Sequence, residues 1–214
     1  LLVKPDGVVM VSTDGHRLAY VESTTEVPSV DKPFRALVPK KAMGEIVKLA
    51  AEGAADSKAI ISVDENHLFF EFGERLLITR KLTGNFPDYD RVLPKDHHLL
   101  VTIQRDEIKS AVERVSQFAD ERSRAIRVQF GPGEVKVFTS SVETGESEES
   151  VPTTYDGPTI DIGFNAHYLL DFLKAVSNEQ VSFELKDQKS AGEMRPAGES
   201  GSYRYRYVVM PMRI

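Results

Sequence analysis

A long internal repeat constrains this chain more than any other feature. Val8-Val9-Met10-Val11-Ser12-Thr13 lines up with Glu134-Val135-Lys136-Val137-Phe138-Thr139 at an offset of 126 residues. The same offset carries Phe34–Val38 onto Ile160–Phe164, and Met43, Ile46, Val47 and Ala50 onto Leu169, Phe172, Leu173 and Val176. A single offset thus serves strand-like and helix-like elements, whose apolar periods differ. The chain is expected to fold as two copies of one unit.

The matched apolar positions recur at i, i+3, i+4 and i+7, one stripe of an amphipathic helix, so each helix is expected to bury one face. Pro39 suits the first turn of the first helix, Gly53 its end, and Asn165 the N-cap of the second. Strands are expected over Ala59–Val63, Leu68–Phe72 and Leu76–Lys81, and again over Gln180–Leu185 and Tyr203–Met210. The second unit opens with an additional strand, Leu99–Ile103. A helix over about Arg105–Phe118 follows, with Ile108, Ala111, Val112 and Val115 on one face. Shifted back by one repeat, these two elements fall before residue 1, so the first unit is expected to be truncated at its N-terminus. Each full unit reads as an α+β domain with two helices on one face of mainly antiparallel sheet. The expected domains are residues 1–94 and 95–214, joined through a linker over about Asp88–His98. The acidic stretch Glu143–Glu149 and the Gly/Ser/Pro-containing stretch Asp187–Ser202 are expected as loops, the second mobile.

With 214 residues, 41% of them hydrophobic, the chain is long enough to bury a sizeable core. Its 27 Lys and Arg against 33 Asp and Glu give a net charge of -6, so contact with nucleic acid requires a local patch, not a global field. The absence of cysteine removes disulfides, thiol nucleophiles and Cys-ligated zinc. No apolar run approaches the roughly 18 residues that span a bilayer, and Leu1–Pro5 lacks a signal peptide's apolar region. A cytoplasmic protein is expected.

Enzyme signatures are missing: the chain has no phosphate-binding glycine loop, His-Glu-x-x-His, Gly-x-Ser-x-Gly or EF-hand spacing. No cofactor and no enzymatic activity are expected. Asp96-His97-His98 sits in a polar linker without a second spaced ligand cluster, so an exposed loop is favoured over a metal site. His67 is expected at a turn and His167 on the outward side of its helix. Two segments are dense in chemistry. Thr13-Asp14-Gly15-His16-Arg17-Leu18 reads as a turn at Asp14-Gly15 or, given His16 and Arg17, as a binding edge. Tyr207-Val208-Val209-Met210-Pro211-Met212-Arg213 reads as an edge strand ended by Pro211 or as an adaptable apolar surface for peptides.

Four motifs together carry a resemblance. Thr13–Ala19, Gly84-Asn85-Phe86-Pro87-Asp88-Tyr89, Gly163-Phe164-Asn165 with Tyr168-Leu169-Leu170-Asp171, and Tyr207–Arg213 resemble the bacterial replicative sliding clamp family, the β subunit of DNA polymerase III, in order and spacing. The resemblance spans essentially the whole chain and matches most of that family's second domain and all of its third.

It implies repeated clamp domains in a head-to-tail homodimeric ring around duplex DNA, with helices lining the hole, acting as a processivity factor. Lys41, Lys48, Lys109 and Lys174, flanked by Arg105, would face the DNA. They suit sequence-independent phosphate contact, and equally an ordinary solvated surface. The implied partners are the polymerase III α subunit, the clamp loader and repair polymerases, which dock short linear motifs into a pocket between the second and third domains. That pocket would comprise Thr13, Gly15, His16, Arg17 and Leu18, then Pro87, Arg91 and Val92, and Val208, Val209, Met210, Pro211, Met212 and Arg213, with Asn165, Tyr168 and Ser190 at the rim. Gln117 and Phe118 would lie at the dimer interface, although a core position suits Phe118 equally. A peptide-binding adaptor that does not encircle DNA is the alternative.

Overall fold

The computed structural model describes residues 1–27, 30, 32–53, 58–141, 145–198 and 201–213. The first series of elements is β1 (Leu2–Lys4), β2 (Gly7–Thr13), β3 (Arg17–Ser23), β4 (Phe34–Arg35), α1 (Lys40–Ala51), β5 (Ala59–Val63), β6 (His67–Phe72) and β7 (Arg75–Arg80). The second is β8 (Leu99–Gln104), α2 (Arg105–Val115), β9 (Ala125–Gly131), β10 (Glu134–Ser141), β11 (Gly145–Pro152), β12 (Ile160–Asn165), α3 (Ala166–Ala175), β13 (Gln180–Leu185), β14 (Gly192–Pro196) and β15 (Tyr203–Val209). Short 3-10 turns cover Tyr89–Arg91 and Ser116–Phe118.

Set aside β8 and α2, and the two series correspond element for element. β1 pairs with β2 and β4 just as β9 pairs with β10 and β12. The order β5-β6-β7 recurs as β13-β14-β15. α1 and α3 begin one repeat apart, at Lys40 and Ala166. The repeat read from sequence is therefore a repeat of pairing, not merely of composition.

The chain divides into two compact units, Leu1–Val9 with Thr25–Asp88, and Met10–Thr24 with Tyr89–Ile214. In the first, Ala36, Leu68 and Phe70 are buried, and Phe34, Val38, Ile46, Ile61, Phe72 and Leu77 pack around them. In the second, the strands divide between two antiparallel sheets, β11-β10-β9-β12 and β3-β15-β14-β13-β8. Its core joins Ile108, Ala111, Val112 and Val115 of α2 to Leu169, Phe172 and Leu173 of α3, with Phe130 against Phe183 at a ring separation of 5.2 Å.

Equivalent helix positions differ in burial. Leu173 and Phe172 are fully buried, yet their counterparts Val47 and Ile46 are 63% exposed and half-buried, and Ala50 is exposed. The expectation that both stripes are buried holds for α3 only. In the second unit α2 packs along α3, and the first unit has no counterpart of β8 and α2 among the described residues.

Three further expectations are corrected. Of the acidic stretch, Glu143 and Thr144 lie outside the described residues, but Gly145–Glu149 opens β11, registered on β10 with Phe138 opposite Glu148. Acidic side chains suit such a strand, because β11 has one partner among the described strands and charge protects an open edge. Within Asp187–Ser202 lies β14, whose Glu193 is completely buried, so this segment is not simply a loop. The C-terminal strand β15 is not at an edge: β14 pairs with it on one side and β3 on the other, with Val208 opposite Leu18 and Val209 opposite Arg17.

Candidate peptide-binding site

The link from β2 to β3 is a tight turn. The Asp14 carboxylate accepts the backbone N–H groups of His16 (3.0 Å) and Arg17 (3.1 Å). Thr13 Oγ1 accepts the Gly15 N–H and donates to the Arg17 carbonyl. Gly15 adopts φ +88°, a left-handed conformation that favours glycine. The turn reading holds: the backbone is an ordinary Asx turn, and it projects Arg17 into a polar centre.

Arg17 gathers four residues from three places in the sequence, the β2–β3 turn, α3 and β15. Its Nε donates to Asp14 at 3.1 Å, and its Nη1 donates to Asp171 at 2.6 Å and to the Tyr207 hydroxyl at 3.0 Å. The guanidinium carbon lies 4.4 Å from the centre of the Tyr168 ring, a cation–π contact. Tyr207 Oη in turn donates to the Tyr168 carbonyl at 2.9 Å, and its ring stacks on Phe172. Burial opposes the charge on Arg17, but the bonds to Asp171, Tyr207 and Asp14 outweigh it and raise the pKa. Burial would raise the Asp14 pKa too, yet the N–H donors and Arg17 hold it below the ordinary carboxylate range. Burial pushes the Tyr207 hydroxyl up to about 12.

The segment after β15 is fastened beside this centre. The Met210 N–H donates to the His16 carbonyl (2.9 Å) and the Met212 N–H to the Gly163 carbonyl (2.8 Å). Asn165 caps α3, as its position predicts, accepting the His167 N–H while its amide reaches the Ser123 carbonyl. Leu18 and Val208 are buried together with Leu93, and Tyr20, Tyr89, Val11 and Ala191 pack around them; Val209 is buried in the main core. These three expected pocket residues are thus buried, while Met210, 45% exposed, stands at the surface with His16, Arg91, Val92 and Arg213. Pro211 and Met212 are half-buried. Ser190 closes a turn on Asp187 one residue from Ala191. Pro87 is exposed and belongs to the first unit.

Residues 90–213 match the family model described as DNA polymerase III beta subunit, C-terminal domain, and residues 1–88 match its central domain. The chain belongs to the DNA polymerase III beta subunit family. The beta sliding clamp of Pseudomonas aeruginosa is 37% identical over 204 residues, which are 95% of this chain and 54% of that protein. The crystal structure of the DNA polymerase sliding clamp from that organism superposes with a TM-score of 0.91 at 35% identity, covering 100% of this chain and 57% of that one. The same scores, with coverage of 100% and 56%, relate the chain to a P. aeruginosa sliding clamp bound to griselimycin. The chain spans about half the length of the curated relatives it matches.

The helix cations expected from the family resemblance are in different states. Lys48 pairs with Glu45 at 2.9 Å, and Lys174 with Glu113 of α2 at 3.5 Å. Lys41 is exposed and Lys109 half-buried. Arg105 is committed within the fold, donating to the Val176 carbonyl at 2.6 Å and pairing with Asp106, so it ties α2 to the end of α3. Gln117 and Phe118 are both exposed in the 3-10 turn after α2. No helix among the described residues is long and apolar enough to cross a membrane.

Sequence reasoning missed two members of the polar centre, Asp171 and Tyr207, although both stand inside quoted motifs; a charged residue one turn after Tyr168 on a helix was the available signal. It also missed a buried ionic group. Glu193 accepts from Arg195 and twice from Arg206, and Arg206 also reaches the Pro94 carbonyl. His97 is not in an exposed loop: its ring is buried, with Nε2 3.3 Å from the Ala191 carbonyl and Nδ1 3.7 Å from Glu184. His97, Glu184 and Glu193 come close enough together to share an ion, but two arginines already match the carboxylate charge.

Proposed function

We propose that this chain supplies the partner-docking part of a bacterial replicative sliding clamp, a non-enzymatic cytoplasmic processivity factor that encircles duplex DNA as a homodimer. The supporting observation is the site itself: a polar centre on Arg17 and Tyr168 beside the surface Met210, over an apolar floor of Leu18 and Val208. Such a combination accepts a short linear motif, apolar anchors on the apolar side and polar groups toward the guanidinium. The family to which the chain belongs, and the relative bound to griselimycin, support the same reading. Polymerase III α, the clamp loader and repair polymerases are the partners this role calls for. Residues 1–94 and 95–214 are read as the central and C-terminal clamp domains, Gln117 and Phe118 as part of the subunit contact, and Lys41, Lys48, Lys109 and Lys174 as facing phosphates without reading bases.

The test is a fluorescence-polarisation titration of the chain with a labelled Gln-Leu-x-Leu-Phe peptide. Saturable binding is expected, and a well-folded chain that shows none sinks the docking role. Salt-sensitive retention on closed circular duplex by the full-length parent, set against this chain, separates a clamp from an adaptor that only binds peptides.

A further inference from the structure

A guanidinium carries five N–H donors in a planar fork. In Arg17 one is taken by Asp14 and the Nη1 pair by Asp171 and Tyr207. The two donors on Nη2 have no partner among the described residues, and the side chain is 27% exposed. The plane of the fork is thus fixed on one side and open on the other. Tyr207 does the fixing from beneath: buried and stacked on Phe172, its hydroxyl accepts from Arg17 and donates to the Tyr168 carbonyl. The same hydroxyl therefore sets both the guanidinium and the backbone that carries the ring beneath it. Asp171, one turn after Tyr168 on α3, holds Nη1 at the closest of the three distances. Two carboxylates flank one guanidinium, so the trio carries net negative charge and does not recruit an anion.

We propose that Asp171 and Tyr207 are positioning residues that lock Arg17 against Tyr168 and leave its Nη2 group aimed at a neutral acceptor, an amide carbonyl, on the docked peptide. This rests on the peptide-docking reading above. Neither residue has to touch the peptide: their effect passes through the orientation of Arg17, and pre-organisation of a donor lowers the ordering cost at binding.

Peptide affinity would be measured for the chain and for Tyr207→Phe, Asp171→Ala and Asp171→Asn, with the thermal midpoint of each and the side-chain nitrogen NMR signals of Arg17. Tyr207→Phe and Asp171→Ala are expected to weaken binding about tenfold. Asp171→Asn, whose amide oxygen still accepts, is expected to restore most of what Asp171→Ala loses. The two Nη signals, kept distinct by hindered rotation in the unsubstituted chain, are expected to merge in the two weakened variants. A peptide with Glu for its first Gln is expected to bind no tighter. Asp171 is exposed, so Asp171→Ala keeps the test open even where Tyr207→Phe fails to fold. Folded variants that bind as well as the unsubstituted chain overturn the proposal, as does a loss that Asp171→Asn does not restore. Tighter binding of the Glu peptide overturns the neutral-acceptor assignment. A chain that binds no peptide while its Nη signals stay distinct overturns the docking reading instead.

Discussion

Leu173 and Val47 occupy the same position of the repeat and offer a matched pair of truncations. Leu173 is fully buried on α3 where α2 packs, so Leu173→Ala leaves a cavity walled by two helices and is expected to cost about 3 kcal/mol, within the range for buried leucines. Val47 retains 63% of its exposure. Truncating it removes only a fraction of the roughly 1.5 kcal/mol that full burial of a valine represents, and alanine's better helix propensity returns a few tenths of a kcal/mol. Val47→Ala is therefore expected to be neutral to within about 0.5 kcal/mol. Because the chain has two units, urea unfolding followed by circular dichroism would be assigned to each through hydrogen exchange of α1 and α3 amides. With a slope of about 1.5 kcal/mol/M, Leu173→Ala moves the α3 transition down by about 2 M and Val47→Ala leaves the α1 transition in place. A Val47→Ala cost above about 1.5 kcal/mol would mean that the exposed stripe of α1 is covered in solution, and would refute the contrast drawn between the units.

Met210→Ala is expected to cost about 2 kcal/mol of peptide binding, roughly thirtyfold in affinity, with little change in the unfolding midpoint. Leu18→Ala, at a buried position, is expected to lower that midpoint as well, and a Leu18 variant of unchanged stability would show that the floor is not packed as described. Hydrogen bonds and charge from Arg206 and Arg195 overcome burial to hold the Glu193 carboxylate below its usual range. A depressed carboxylate pKa contributes stability present above the unfolded value and lost as pH falls through the folded one. Stability should therefore fall on acidification below the ordinary glutamate pKa. Glu193→Gln should flatten that dependence and cost about 3 kcal/mol at neutral pH, readable in unfolding curves at several pH values. If the proposed clamp role holds, Lys41→Ala and Lys109→Ala in a complete clamp carrying this sequence are each expected to reduce the salt slope of DNA association by about one, with little effect on peptide affinity.

The repeat was legible because strands and helices answered to one offset, and the match of β1–β7 with β9–β15 is its structural counterpart. Val181-Ser182-Phe183-Glu184-Leu185 and Ile108, Ala111, Val112 and Val115 could be read because their apolar residues recur with a simple period. β11 and β14 were hidden because their stabilising partners are remote: acidic β11 is defined by its register on β10, and Glu193 of β14 is tolerable in a core only with Arg195 and Arg206 beside it. At the site, the turn and motif ends were visible, but Leu18 and Val208 as floor and Tyr207 as support depend on β15 lying between β3 and β14. No local pattern encodes that neighbour relation.

That pairing sets when the site comes into being. Arg17 and Tyr207 stand 190 residues apart, and each register pair between β3 and β15 closes a loop of similar length. Contacts of such separation are slow to form, because the entropy of closing the loop precedes any gain. Asp14 can hold its turn early, since its bonds are local, but Arg17 meets Asp171 and Tyr207 only once β15 has entered the sheet. A partly folded chain is thus expected to display the turn without the clamp on its guanidinium, and the proposed peptide site to be completed only once β15 has paired with β3.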